Sequence, residues 1–252
     1  MLENKIRDMV ELQNTLNVKT NGENWVSGVT DKGKIIRWWM CLNMEACELI
    51  DSLPWKHWKA INNEIDIDNI KIEITDIWHF ILSAVIELTE GDTDEANKII
   101  LDTVNDYADE KDNVKMFLKN TINTTDIENK LTILTDYLIA GMNNMYRVNK
   151  LINEQDANKL VFDFMVNMEV ISEISDVLGK GEFTFNHLYN LYLGKNVLNE
   201  FRQNNGYKEG DYVKIWNGVE DNVIMGRMLE DNLDDLSYGK LYDMLNEYYC
   251  QL

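Results

Sequence analysis

The chain has a single proline, Pro54, and only 13 glycines in 252 residues. A turn-rich all-β fold needs more of both, so this scarcity of breakers favours long helices. Cysteine is equally scarce. Cys41, Cys47 and Cys250 are an odd number with no paired spacing, and the first two read as small core residues of an apolar helix. A zinc site would want more ligands than these and the three histidines, His57, His79 and His187. Basic residues are in deficit: 24 Lys and Arg stand against 44 Asp and Glu, a net charge of −20. General binding to DNA or RNA needs a basic surface and is excluded on that ground. A small phosphate ligand is not, since it needs only a local cationic cluster or a metal ion. No apolar run approaches the length of a membrane span, and "MLENKIRDMV" lacks the apolar centre of a signal peptide. A soluble, cytoplasmic protein is expected.

What is present is enough hydrophobic sequence, 45% of the residues, for a real core. Ile6, Met9, Val10, Gln13 and Leu16 fall at helical spacing within 3–17, and a Gly-containing loop follows. Nearly all-apolar helices are expected over 35–53 and 73–90, with "NNEIDIDNIKI" as their connection. Further helices are read over 94–123, 126–150, 155–178 and 186–204. A loop segment, "GYKEGDYVKIWNGVEDN", comes next, and a short helix over 238–249 closes the chain. Strand alternation is nearly absent. The fold class expected is all-α, a helical bundle forming one domain over 1–252.

Two acidic pairs stand out. Glu45 and Glu48 are three residues apart in one helix, and Glu73 and Asp76 repeat that offset in the next. A helix advances about 100° per residue, so each pair occupies one sector. Acids at such spacing usually form a solvated face, which is the reading for Glu169, Glu173 and Asp176. Glu45 and Glu48, however, share their sector with Trp38, Cys41, Leu42 and Leu49, and Glu73 and Asp76 share theirs with Ile77, Phe80 and Ala84. Inward-facing carboxylates cost several kcal/mol each unless paired or metal-bound. The nearest cations in sequence, Lys56, Lys59 and Lys71, lie a turn or more away. A hard divalent ion, Mg²⁺ or Mn²⁺, is the more economical partner for an oxygen-only ligand set.

Two further groups sit within apolar stripes. Gln13 and Asn17 are either helix-pairing amides or readers of a pyrimidine's donor and acceptor edge, with Trp58, His79 and Phe80 as possible stacking or wall residues. Lys195, Asn199 and Arg202 share a face with Leu188, Leu191 and Leu198. They are either snorkelling side chains or the cationic wall of an anion site.

The stretches "LQNTLN", "EACE", "EITD", "LPWKHWK" and "YLGKNVLNEFRQNNGYKEGDYVKIWNGVEDN" together resemble the dimeric, all-α dUTP pyrophosphatases, one branch of the all-α NTP pyrophosphatases. The resemblance covers roughly 1–90 and 186–225 as core segments. Residues 91–185 match only in being helical and read as an insert-like region of unassigned role. The acidic pairs mark the wider group, and the terminal block marks dUTP hydrolysis.

The resemblance implies that Glu45, Glu48, Glu73 and Asp76 bind Mg²⁺ ions bridging the phosphates, and that Glu48 orients or deprotonates the attacking water. It implies uracil recognition by Gln13 and Asn17, with Trp58, His79 and Phe80 around base and sugar. Lys59, Lys195, Asn199, Arg202, Lys214 and Asn217 would serve the phosphates, with the "EDN" at 220–222 nearby. Trp25 and Ser27, in the loop "GENWVSG", would reach a neighbouring subunit's site in a homodimer. The substrate implied is dUTP, with dUDP as a further candidate. Two other readings stand beside it: an all-α pyrophosphatase for dCTP or another nucleotide, and a nucleotide-controlled module for a regulatory protein partner.

Overall fold

The computed structural model describes residues 2–56, 58, 64–146, 151, 153–231 and 237–251, with the backbone alone at Tyr146, Glu230 and Asp231. Nine α-helices are found among the described residues: α1 (Leu2–Asn21), α2 (Trp38–Asp51), α3 (Ile67–Leu88), α4 (Thr93–Thr121), α5 (Ile127–Tyr146), α6 (Glu154–Val177), α7 (Phe185–Asn204), α8 (Asp221–Asp231) and α9 (Tyr238–Tyr249). The described strands are β1 (Ile215–Trp216) and β2 (Val219–Glu220), an antiparallel hairpin. The fold class is all-α, as expected. No helix among the described residues is long and apolar enough to cross a membrane.

The α3 helix is the axis of the bundle. It packs against α1, α2, α4, α6 and α7, and its buried residues run all round, from Ile67 to Ile86. Its start corrects the expectation of a connection over 62–72. Asp66 caps the helix by accepting from the Asn69 amide at 3.0 Å. Ile67, Ile70 and Ile74 are buried behind that cap. Isoleucine is an indifferent helix former, and here burial overrides propensity.

The α2 helix is shorter than 35–53. Ile35 bridges to Val29, and the Ile36 amide donates to Gly28 at 2.8 Å, which holds that stretch in the preceding loop. Cys47 is exposed and Cys41 only half-buried, so neither is the core residue expected.

Residues 91–185 are not an appendage. Ile100, Phe164 and Ile171 are fully buried in the same core as Ile6, Leu49 and Trp78. Phe164 stacks on Trp78 with ring centroids 4.6 Å apart. Glu169 corrects a second expectation, since it is 5% exposed rather than solvated. The α4 helix lies across that face of α6, where Tyr107 donates to Glu169 at 3.0 Å and Lys115 pairs with it at 3.2 Å. Asp176 remains exposed.

A smaller apolar cluster gathers the C-terminal elements around Phe201, with Trp216, Met225 and Leu245. Tyr212, Trp216, Tyr242 and Tyr249 all place rings 5.4–6.2 Å from the Phe201 ring. The unpredicted α8 begins directly after the hairpin. Asn217 and Gly218 turn that hairpin with φ of 51° and 83°, the positive angles of a tight type I′ connection.

Phe164→Ala should lower unfolding stability by about 3–5 kcal/mol through the cavity left against Trp78. Leu178→Ala, at a residue 36% exposed, should cost under about 1 kcal/mol. Urea denaturation followed by circular dichroism reads both, and equal losses would contradict the packing described.

Candidate active site

The α2 and α3 helices lie side by side and bring their acids together. One carboxylate oxygen each from Glu45, Glu73 and Asp76 lies within 4.8 Å of the other two. Glu73 is buried, while Glu45 and Asp76 are half-buried. Two ionised carboxylates at that spacing repel by roughly 3 kcal/mol at an effective dielectric of about 20. Burial, then the charges of Asp76, Glu73 and Glu48, push the Glu45 carboxyl up to about 8. Glu73 is raised to about 7, first by burial and then by Asp76, with Lys195 opposing. Glu48, one turn after Glu45, is exposed and lies outside the group of three, at its solvent edge. The donor set is all oxygen, converges from two rigid helices, and holds charge that the protein alone does not balance. It fits a hard divalent cation.

The cationic side comes from α7. Lys195 is 3% exposed and pairs with Asp76 Oδ2 at 2.7 Å. It also donates to Asn222 Oδ1 at 3.0 Å. Arg202 is held differently from the expected phosphate ligand. Its Nε and Nη2 grip the Asp221 carboxylate at 2.8 and 2.7 Å, and Asp221 is 1% exposed. Asp221 also accepts from Tyr212 at 2.8 Å. The charge of Arg202 is thus largely spent inside the protein, and Arg202 acts as a fastener of α7 to α8. Asn199 accepts from Arg202 Nη1 at 3.3 Å. Lys214 and Asn217 are exposed on the hairpin, and the turn conformation accounts for Asn217 as a residue type. Lys59 lies outside the described residues.

The amide pair is buried further along the same face of α3. Gln13 and Asn17 are each 3% exposed. Gln13 Nε2 donates to Asn17 Oδ1 at 3.2 Å and to Ser83 Oγ at 2.9 Å. Its Oε1 meets His79 Nδ1 at 2.7 Å and lies 3.0 Å from the Tyr192 hydroxyl, whose one proton also faces the Met9 carbonyl at 2.8 Å. Both N–H groups and the oxygen of Gln13 are thus engaged within the chain. Asn17 gives one N–H to Ser83 at 3.0 Å and accepts one from Gln13, which leaves it one donor and one acceptor.

An amide oxygen can only accept, so His79 carries its proton on Nδ1. Its Nε2 is then a buried acceptor with no partner. Burial, with the Lys195 charge, lowers the His79 pKa to about 3, so the ring is neutral. Tyr192 stacks on it at 4.1 Å.

The aromatic residues divide. Phe80 stacks on Trp38 at 6.1 Å, and Trp38 meets Trp25 edge-on at 5.8 Å. Trp25 is 1% exposed within its own chain and donates to Asn14 at 3.2 Å. Its indole is thus enclosed within its own chain. Ser27 beside it is exposed. Trp58 is 64% exposed and packs edge-on against Trp55. A cavity of about 680 Å³ lies between this loop, α2 and the end of α3, lined by Val26, Ile36, Trp38, Leu42 and Leu88 among others. None of the four acids lines it.

Sequence reading passes over Ser83 and Tyr192, and takes Asp221 only as part of the "EDN" at 220–222 beside the phosphates. Ser83 follows Asp76 by seven residues and His79 by four, and Tyr192 precedes Lys195 by three. Helical spacing from residues already singled out would have found both. Asp221 begins a helix that was not anticipated and carried no such signal.

The raised carboxyls set a pH dependence. Glu45 and Glu73 have folded values above their ordinary 4.5, so the folded chain keeps protons that the unfolded chain has released. Their contribution is present at low pH and is lost as pH rises through 7 and 8. The opposite contribution of His79, lowered to about 3, is complete above about 6.5. In chelator, stability should therefore fall between about pH 6.5 and 8.5, and Glu45→Gln should flatten the fall. Urea unfolding across that range reads it, and a rising profile in the parent protein would contradict the assignment.

Comparison with known families bears on this geometry directly. The family model described as dUTPase matches residues 5–207, from the start of α1 through all four acids, the middle helices and α7. Comparison with curated proteins gives no match. The matched span covers most of the chain: it belongs to the all-α dUTPase family, and is an enzyme of dUTP hydrolysis.

Proposed function

We propose that the carboxylate centre binds Mg²⁺ through Glu45, Glu73 and Asp76, with Glu48 at its edge, and that the enzyme converts dUTP to dUMP and pyrophosphate. The convergence of three acids that repel one another carries this reading. A bound divalent ion would neutralise the polyphosphate and make a coordinated water more acidic.

Glu48 is exposed, where Glu73 is buried and Glu45 and Asp76 are half-buried. It is suited to orient the attacking water and to accept its proton. The water oxygen bonds to the α-phosphorus, the bond from that phosphorus to the bridging oxygen breaks, and pyrophosphate leaves. Hydrolysis of this kind needs positioning and charge neutralisation more than covalent chemistry. dUDP, with phosphate as its leaving group, is the second substrate to be tested.

The base contact falls chiefly to Asn17. Its remaining N–H and lone pair suit an edge that offers one acceptor and one donor, as uracil does and cytosine does not in the same order. Gln13, with both N–H groups bonded within the chain, holds Asn17 in place. His79 Nε2 needs a donor, and a sugar hydroxyl would supply one. Ser27 is the loop residue left available to a second subunit of a homodimer.

Glu48→Gln should lower kcat for dUTP by at least about 100-fold with little change in KM, the pattern of a lost general base. Circular dichroism should be unchanged. A pyrophosphate-release panel of the four common deoxynucleotides and dUTP, with Mg²⁺ and with chelator, checks both parts. Near-parental activity in Glu48→Gln would remove its role, and preference for dCTP would overturn the base assignment.

A further inference from the structure

Lys195 is an unusual residue to find beside a metal-binding acid. A lysine that serves an incoming phosphate commonly keeps its ammonium at the end of a mobile stem. Here the ammonium is buried, 3% exposed, and fixed from two sides by Asp76 Oδ2 at 2.7 Å and Asn222 Oδ1 at 3.0 Å. Asn222 is itself fixed. Its Oδ1 accepts from Arg202 Nη2 at 3.2 Å, and Arg202 is locked to Asp221. The ammonium therefore sits at the end of a braced chain of contacts running from α8 through α7 to α3.

Asp76 is also one of the three acids that converge on one point. Its carboxylate has two suitors: a fixed ammonium and a divalent ion. A positive charge held this close lowers the attraction that the centre exerts on any other cation, and it occupies lone pairs that an ion would need.

We propose that Lys195 is an internal competitor for the metal, holding Asp76 and setting the divalent-ion affinity of the centre low. This goes beyond the substrate reading but rests on the metal reading above. Within the family's chemistry, Lys195 is then a positioning residue for Asp76, whatever else it meets when nucleotide is bound.

The test uses the full chain and the metal alone, with no nucleotide. Free Mn²⁺ is measured by electron paramagnetic resonance during titration of the parent protein, Lys195→Met and Lys195→Arg. The pH is about 9, above the raised Glu45 range, to suppress proton competition. Lys195→Met should bind Mn²⁺ about tenfold more tightly than the parent, and Lys195→Arg, which keeps the charge, should not. Equal or weaker binding by a folded Lys195→Met overturns the proposal while leaving the metal centre standing. No Mn²⁺ binding by the parent overturns both. If Lys195→Met does not fold, the lysine ammonium signal of ¹⁵N-labelled parent protein decides. The Lys195 signal should move on addition of Mg²⁺ as its contact with Asp76 is broken, and an unmoved signal at saturation overturns the proposal.

Discussion

Three carboxylates that cannot all be charged at ease in so small a space are held there by the rest of the fold. Glu45 is carried by α2, and Glu73 and Asp76 by α3, the helix that touches most of the bundle. Nothing local to those residues favours their meeting. Burial and mutual repulsion raise Glu45 and Glu73 far above ordinary carboxyls, and that energy has to be supplied by packing elsewhere. The fully buried Leu49, Ile70, Ile74 and Trp78 supply it by locking the two helices in register. Perturbed acids of this kind, placed on rigid elements, are what a metal-dependent hydrolase needs.

The cationic counterpart is built by a different route. The α7 helix brings Lys195 against Asp76, and the C-terminal unit then fixes α7. Tyr249 stacks on Tyr212, Tyr212 donates to Asp221, and Asp221 grips Arg202. The family match ends at residue 207, so α8 and α9 lie beyond it, yet they anchor a helix that lines the site. The middle helices play the complementary part on the other flank. Phe164 of α6 buttresses Trp78 of α3, the residue next to His79 and two residues from Asp76.

Much of this was legible in the sequence because helical periodicity survives in a chain with few breakers. The ends of α7 and α9, the all-α class and the shared sectors of the acidic pairs could be read from spacing alone. What could not be read depended on a second element. Glu169 looks solvated on α6 until α4 is laid over it. The isoleucines of 65–72 look like a connection until Asp66 is seen to cap them. Gln13 looks unpartnered until His79, Asn17 and Ser83 are found against it. Arg202 looks unpartnered until Asp221, on a helix that periodicity did not reveal, is found against it. Each failure came from the partner, since sequence spacing reports which face a residue occupies and not what meets that face.

The account turns on whether a divalent ion is the reason those acids meet. Crystals grown with Mn²⁺ and a non-hydrolysable dUTP analogue, measured at a wavelength where manganese scatters anomalously, answer it most directly. The account predicts an anomalous peak within about 2.0–2.3 Å of oxygens from Glu45, Glu73 and Asp76, with the analogue's phosphate completing the shell. An ordered analogue with no peak among those three oxygens, or a peak bound elsewhere, would contradict it.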